Sequence, residues 1–260
     1  MKKFKINEHI TLRLIGIKNQ ETIIFVDGEE FMQCKYLLIV NPQEREEFRE
    51  ITSVDEASEL LRNDLERNLK PKDLGITGEE EFWGHCSNLQ AWVENDYNIN
   101  IIHTNLALPL LKELAKKGVL KAKAKLKEVV IEMFKKQNNR KILFLLEGDY
   151  LQFFNYDEFK DLYEIFSDTT NLSKKAINIK DIPFYVDLFR SFSAYSRYFS
   201  ETHDYLLQPI IPDIQNFLKK IKINFDVKKK ELWDALYCKL FIDNRYITLK
   251  ELLDYKIKKF

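Results

Sequence analysis

The sequence predicts a mainly α-helical protein: a small α+β N-terminal unit followed by an irregular stack of antiparallel helices. Three observations carry that prediction. Only 7 Gly and 6 Pro occur in 260 residues, too few for the turns of an all-β sandwich. Strand-like alternation opens the chain, where Ile10, Leu12 and Leu14 alternate with Thr11 and Arg13. From about residue 80 onward the chain breaks into amphipathic segments with capping residues at their starts.

Taken in order, residues 4 to 40 read as β structure. Ile23-Ile24-Phe25-Val26 runs into Asp27-Gly28, a strong hairpin signal. The segment Phe31 to Val40 fits the partner strand, and it also fits a short helix from near Glu29 through Phe31, Cys34, Leu37 and Leu38. A helix is expected over 54 to 69, opened by a Ser53 to Glu56 capping box and striped by Val54, Ala57, Leu60, Leu61 and Leu65. Pro71 to Gly78 then breaks the pattern, which places an α+β unit at 1–75, a helical module at 76–168 and a C-terminal helical region at 169–260.

Within the helical part, Ser87 and Gln90 are expected to box a helix start ahead of Leu89, Trp92 and Val93. Thr104 or Asn105 caps the next helix, with Leu110, Leu111, Leu114 and Ala115 inward and Gly118 as its stop. Residues 119 to 136 align Ala122, Leu126, Val129, Val130 and Met133, and Asn138-Asn139 sets off an apolar helix ending near Gly148. Asn155 and Glu158 box another start, leading into Phe159, Leu162, Tyr163 and Phe166. Over 182 to 220 an aromatic stripe of Tyr185, Phe189, Phe192 and Phe199 precedes interruptions at Pro209 and Pro212. A last helix pair is expected at 229–240 and 249–258, the second opened by Thr248 and Glu251.

Composition excludes several classes. Hydrophobic residues at 45% with 32% charged residues describe a chain that folds throughout. The 41 basic and 41 acidic residues cancel, which removes the electrostatic basis for coating DNA or an anionic membrane. Cys34, Cys86 and Cys238 are odd in number, and Met1-Lys2-Lys3-Phe4-Lys5 leads into alternation rather than a secretory apolar run; reduced thiols and a cytoplasmic location are expected. No apolar run is long enough to span a bilayer. The phosphate-loop, dinucleotide, zinc-protease and serine-hydrolase templates are all missing.

Residue types suited to function gather between Glu81 and Trp92, with His103-Thr104-Asn105 downstream. The candidate binding residues are Trp83, His85, Cys86, Asn88, Trp92, His103 and Asn105. A thiolate nucleophile needs a base within hydrogen-bond reach. His85 is adjacent to Cys86 and points about 100° away on a helix, so His103 is the better partner. Cys86 and His103 with Asn105 or Asn88 would echo a Cys-His-Asn site, and a helix beginning at Ser87 would bring backbone N–H groups near the thiol. His85, Cys86 and His103 lack paired zinc-ligand spacings, so no metal is expected. The preferred reading is structural: Trp83, Trp92, His85 and His103 fill the joint between the β unit and the helices, Asn88 and Asn105 tie down loop backbone, and Cys86 is buried.

A second candidate is the basic stretch from Lys112 to Lys141, with eleven Lys/Arg against three acids. Lys117, Lys121 and Lys125 form a stripe that could meet RNA phosphates, although nothing aromatic or arginine-rich is interleaved as base recognition would want, and a solvated helix face is preferred. Arg190, Arg197 and His203 near the aromatic stripe invite a cofactor reading, but the helical spacing indicates core packing and no cofactor is expected.

The run Phe82-Trp83-Gly84-His85-Cys86-Ser87-Asn88-Leu89-Gln90-x-Trp92, followed by Ile101-Ile102-His103-x-Asn105-Leu106-Ala107-x-Pro109-Leu110-Leu111-Lys112-Glu113-Leu114 and a Lys-rich helix, resembles a module of archaeal proteins. Many proteins of that kind carry leucine-rich repeats, and no chemistry is assigned to the module. The resemblance covers roughly residues 5 to 165. No L-x-x-L-x-L-x-x-N run occurs here, so the repeat horseshoe is missing and residues 170 to 260 supply some other helical part. A module shared among varied architectures implies an interaction or regulatory domain. The expected function is therefore a non-enzymatic cytoplasmic adaptor or scaffold that binds another macromolecule, a protein, through helical grooves. The rivals are a thiol or hydrolytic enzyme centred on Cys86 and His103, and an RNA-associated protein using the 112–141 face.

Overall fold

Two residues with left-handed backbone set the N-terminal sheet. Asp27 and Gly28 have φ of 50° and 84°, and Val26 pairs directly with Glu29 across them. A two-residue turn of that kind matches the right-handed twist of its flanking strands. The computed structural model describes residues 2–17, 20–31, 51–60, 75–136, 139–170, 182–195, 210–224, 237, 239–242 and 245–252. They form two compact units, residues 1–126 and 127–260. This division differs from the boundaries read from Pro and Gly punctuation, because the first long helix packs on the sheet and joins its unit.

In the first unit β1 (Lys2–Lys5), β2 (Ile10–Ile15), β3 (Glu21–Val26) and β4 (Glu29–Phe31) form one antiparallel sheet in chain order. The partner of β3 is thus the three residues Glu29–Phe31, and residues 32–40, where a strand or a helix was expected, lie outside those described. Ile10, Leu12, Leu14, Ile24 and Val26 are buried on one face, by the period-two rule. α1 (Val54–Leu60) follows, and the rest of the helix expected to 69 lies outside the described residues. Its predicted box is half made: Ser53 Oγ accepts the Glu56 N–H at 3.2 Å, while the Glu56 carboxylate turns to the Thr52 N–H at 3.0 Å.

α2 (Gly78–Glu94) starts nine residues before the expected Ser87. Thr77 Oγ1 accepts the Glu80 N–H at 3.1 Å and the Glu80 carboxylate accepts the Thr77 N–H at 2.7 Å, a complete capping box. Glu79, Glu80 and Glu81 add negative charge where the helix dipole favours it. Ser87 is an exposed mid-helix residue. α3 (Thr104–Lys116) is capped by His103 rather than by Thr104 or Asn105. Gly118 ends it as expected: at φ 87° its N–H donates to Ala115 O and that of Val119 to Leu114 O. α2 closes in the same way without glycine. Asp96 and Tyr97, at φ 57° and 58°, donate to Val93 O and Trp92 O, and the Tyr97 ring meets Trp92 at 4.9 Å. An L-residue in this conformation crowds its Cβ against the following carbonyl, so the aromatic contact offsets a local strain.

The division between units falls within α4 (Leu120–Lys135), whose Ala122, Leu126, Val129, Val130 and Met133 are buried as expected. The second unit continues with α5 (Asn139–Glu147), a 3₁₀ turn at Tyr150–Phe153, α6 (Tyr156–Thr170), α7 (Ile182–Tyr195) and α8 (Ile210–Asn224). Asn155 and Glu158 box the start of α6 reciprocally, at 2.8 and 2.9 Å. Tyr185 and Phe189 of the aromatic stripe are core residues, each packing on Phe217, and Phe199 lies outside the described residues. Lys239 and Leu240, expected in a helix, belong instead to β5 (Lys239–Ile242), which pairs antiparallel with β6 (Arg245–Thr248); residues 229–236 of that expected helix lie outside the described ones. Lys-Leu-Phe-Ile and Arg-Tyr-Ile-Thr are rich in aromatic and β-branched residues, which favour a pleated pair over a helix. Thr248 and Glu251 form the predicted box and open α9 (Leu249–Leu252). The described chain is mainly helical with a four-stranded antiparallel sheet at its N-terminal end, and no helix among the described residues is long and apolar enough to cross a membrane.

Candidate functional site

Because α2 starts at Gly78, residues 78–86 share its helical spacing with the residues that follow. Counted from Gly78, Phe82, His85, Cys86, Leu89 and Trp92 fall on one stripe and are all buried. Trp83 is rotated off that stripe and is 46% exposed, so it does not fill a buried joint. Its ring meets Phe4 of β1 edge-on at 5.7 Å and Phe82 at 5.1 Å, and its Nε1 donates to Glu79 Oε1 at 3.4 Å. Glu79 also accepts from Lys2 Nζ. The Lys2 ammonium, and after it the Trp83 N–H, hold the Glu79 carboxyl below its usual range. Trp83, Phe4, Lys2 and Glu79 together make an aromatic platform with charged borders on the surface of the first unit.

Cys86 is 2% exposed and sits in the middle of α2, two turns from the backbone N–H groups that could activate a thiol. Burial pushes its pKa up to about 12, and among the described residues no cationic neighbour opposes it. At neutral pH the group is a thiol. His85 is equally buried; its Nε2 is 3.6 Å from Glu81 Oε1, beyond hydrogen-bond length. Trp92 is fully buried, and its Nε1 has no hydrogen-bond partner among the described residues. Asn88 is half-buried within the helix rather than in a loop.

His103 has structural duties. Its Nδ1 accepts the Asn105 N–H at 3.2 Å, which places the ring proton of the neutral form on Nε2, 3.6 Å from Asp55 Oδ1. The lone pair that a general base would use is thereby committed to the helix cap. Asp55 of α1 accepts the Thr104 N–H at 2.8 Å and the Thr104 hydroxyl, and the Val54 N–H donates to Asn100 O at 3.0 Å. The start of α1 is thus fastened to the start of α3. Asn105 is exposed in the first turn of α3. Sequence reasoning overlooked Asp55 and the Thr77 to Glu80 box. The box was readable as Thr-x-x-Glu, whereas nothing local announces a carboxylate 49 residues from the helix it caps.

The basic stretch is largely answered by acids. Lys117 Nζ is 2.5 Å from Glu29, and Lys121 pairs with Asp96. These hydrogen bonds raise both lysines above the usual ammonium range. Lys127 contacts Glu158 at 2.6 Å and lies over the Phe154 ring, and Lys135 is 3.4 Å from Glu132. Lys125 lies in the field of Asp96. Among the described residues no group of three or more His, Cys, Asp or Glu side chains is arranged to hold a metal ion. Compared with models of protein families, with curated proteins and with solved structures, the chain matches none.

Proposed function

We propose that this chain is a binding module, a non-enzymatic cytoplasmic adaptor or scaffold whose partner is a protein. The half-exposed indole of Trp83 carries this reading: a large ring held between Phe4 and Glu79 costs little entropy to dock against, and Trp is the residue most enriched where partners bind tightly. The buried, proton-bearing Cys86 and the capping role of His103 weigh against the thiol-enzyme rival. Lys117 and Lys121, engaged by acids, offer less to a phosphate backbone than free lysines would. The resemblance to an archaeal module carried by varied architectures supports the same choice, and an irregular antiparallel helical stack would supply further grooves. The test is affinity capture from native lysate with wild type, Trp83→Ala and Cys86→Ala side by side. A protein retained by wild type and Cys86→Ala but lost with Trp83→Ala is expected. Retention by all three, or loss with Cys86→Ala alone, would overturn the reading.

A further inference from the structure

Resting on that reading, we propose that the partner contributes an acidic, extended segment that adds to the sheet as a strand along the outer edge of β1, with every second side chain against Trp83 and Phe4. Among the described residues β1 is the end strand of the order β1-β2-β3-β4, with no strand on its outer side, and Lys2, Lys3 and Lys5 are exposed. A strand edge presents unpaired N–H and C=O groups, and an incoming strand satisfies them without further chain ordering on the host.

Side chains of the two faces set the pattern such a segment must have. On the α2 side Phe4 is half-buried against Trp83, which gives an apolar or aromatic side chain of the segment a surface to cover. On the opposite side Lys3 stands directly across from Arg13, with Lys5 one step along the same face. Like charges directly opposite each other destabilise a sheet, and among the described residues neither Lys3 nor Lys5 has an acidic partner. The Arg13 guanidinium is held over the Phe25 ring of β3 at 4.2 Å, so the charges an acidic side chain from a neighbouring strand would answer are those of Lys3 and Lys5. A second copy pairing through its own β1 is disfavoured as the occupant, because β1 against β1 would set lysine beside lysine. The segment therefore alternates acidic and apolar residues.

The experiment uses a blocked synthetic peptide alternating Glu with Val, titrated into the full chain by calorimetry and followed through the amide signals of Lys2 to Lys5. Binding is expected with shifts confined to β1 and its surroundings. Reversing the exposed pair, Lys3→Glu with Lys5→Glu, should weaken it by on the order of tenfold or more. A Lys/Val peptide should prefer that variant, and N-methylation of alternate peptide amides should abolish binding by removing the strand bonds. No binding by wild type, or equal binding of the N-methylated peptide, would overturn the inference. The N-methylation arm changes only the peptide, so it stands whatever the variant does. If capture of a protein still depends on Trp83 while the peptide fails to bind, this inference falls and the adaptor reading survives.

Discussion

Alkylation of Cys86 gives a quantitative measure of how closed the α2 stripe is. Burial moves its thiol from an ordinary value of 9.0 to about 12, and a difference of 3 units leaves roughly a thousandfold less thiolate in the folded chain at any neutral pH. In a Cys34→Ser, Cys238→Ser background, iodoacetamide labelling followed by mass spectrometry should be at least that much slower in buffer than in denaturant. The same shift makes stability depend on alkali. The unfolded thiol releases its proton near pH 9 while the folded one keeps it to about 12, so the unfolded state binds fewer protons in that window and stability falls as pH rises. The Cys86 contribution is fully present below pH 9 and is lost at about 1.4 kcal/mol per pH unit above it. Buried Tyr97 and Tyr163 shift in the same sense, so the Cys86 share is the difference between the background chain and its Cys86→Ala variant. Labelling of the native chain within tenfold of the denatured rate would refute the closed stripe and revive the thiol-enzyme rival.

Three further outcomes follow from the same geometry. Trp92→Ala, which empties a fully buried site, should cost about 3–5 kcal/mol in denaturant unfolding, whereas Trp83→Ala should cost far less; comparable losses would mean the two indoles are not distinguished by burial. Asp55→Ala, which removes the long-range cap of α3, should cost about 1–2 kcal/mol by thermal or chemical unfolding, and an unchanged midpoint would show the fastening to be idle. In a Lys121→Ala background, which removes the ion pair, Asp96→Gly should stabilise by about 0.5–1 kcal/mol by relieving the left-handed position, and a loss of stability would contradict the strain.

Features legible from the sequence were those decided within a few residues. Asp27-Gly28, Gly118, Asn155 with Glu158, and Thr248 with Glu251 each act on their own backbone, and each was read correctly. The start of α2 is ambiguous in the sequence because Thr77-x-x-Glu80 and Ser87-x-x-Gln90 both fit a capping box, and nothing local decides between them. That choice decides whether residues 78–86 belong to the helix at all. Starting at Gly78 puts His85 and Cys86 on the buried stripe of a helix and leaves Trp83 on its flank, so the cap decides where the most informative side chain lies. His103 fits a base in the sequence because its ring can take either role, and only the neighbouring Asn105 N–H shows which nitrogen accepts. Lys239 to Ile242 is a short apolar run whose period alone cannot separate strand from helix.

The direct test of binding through the Trp83 platform is photo-crosslinking in the native cell, with a benzophenone amino acid at position 83 and, as a control, at Phe144, another exposed aromatic ring. One discrete adduct with a single protein is expected from position 83 and none of that mass from 144. The same ladder from both positions, or no adduct from position 83, would contradict it.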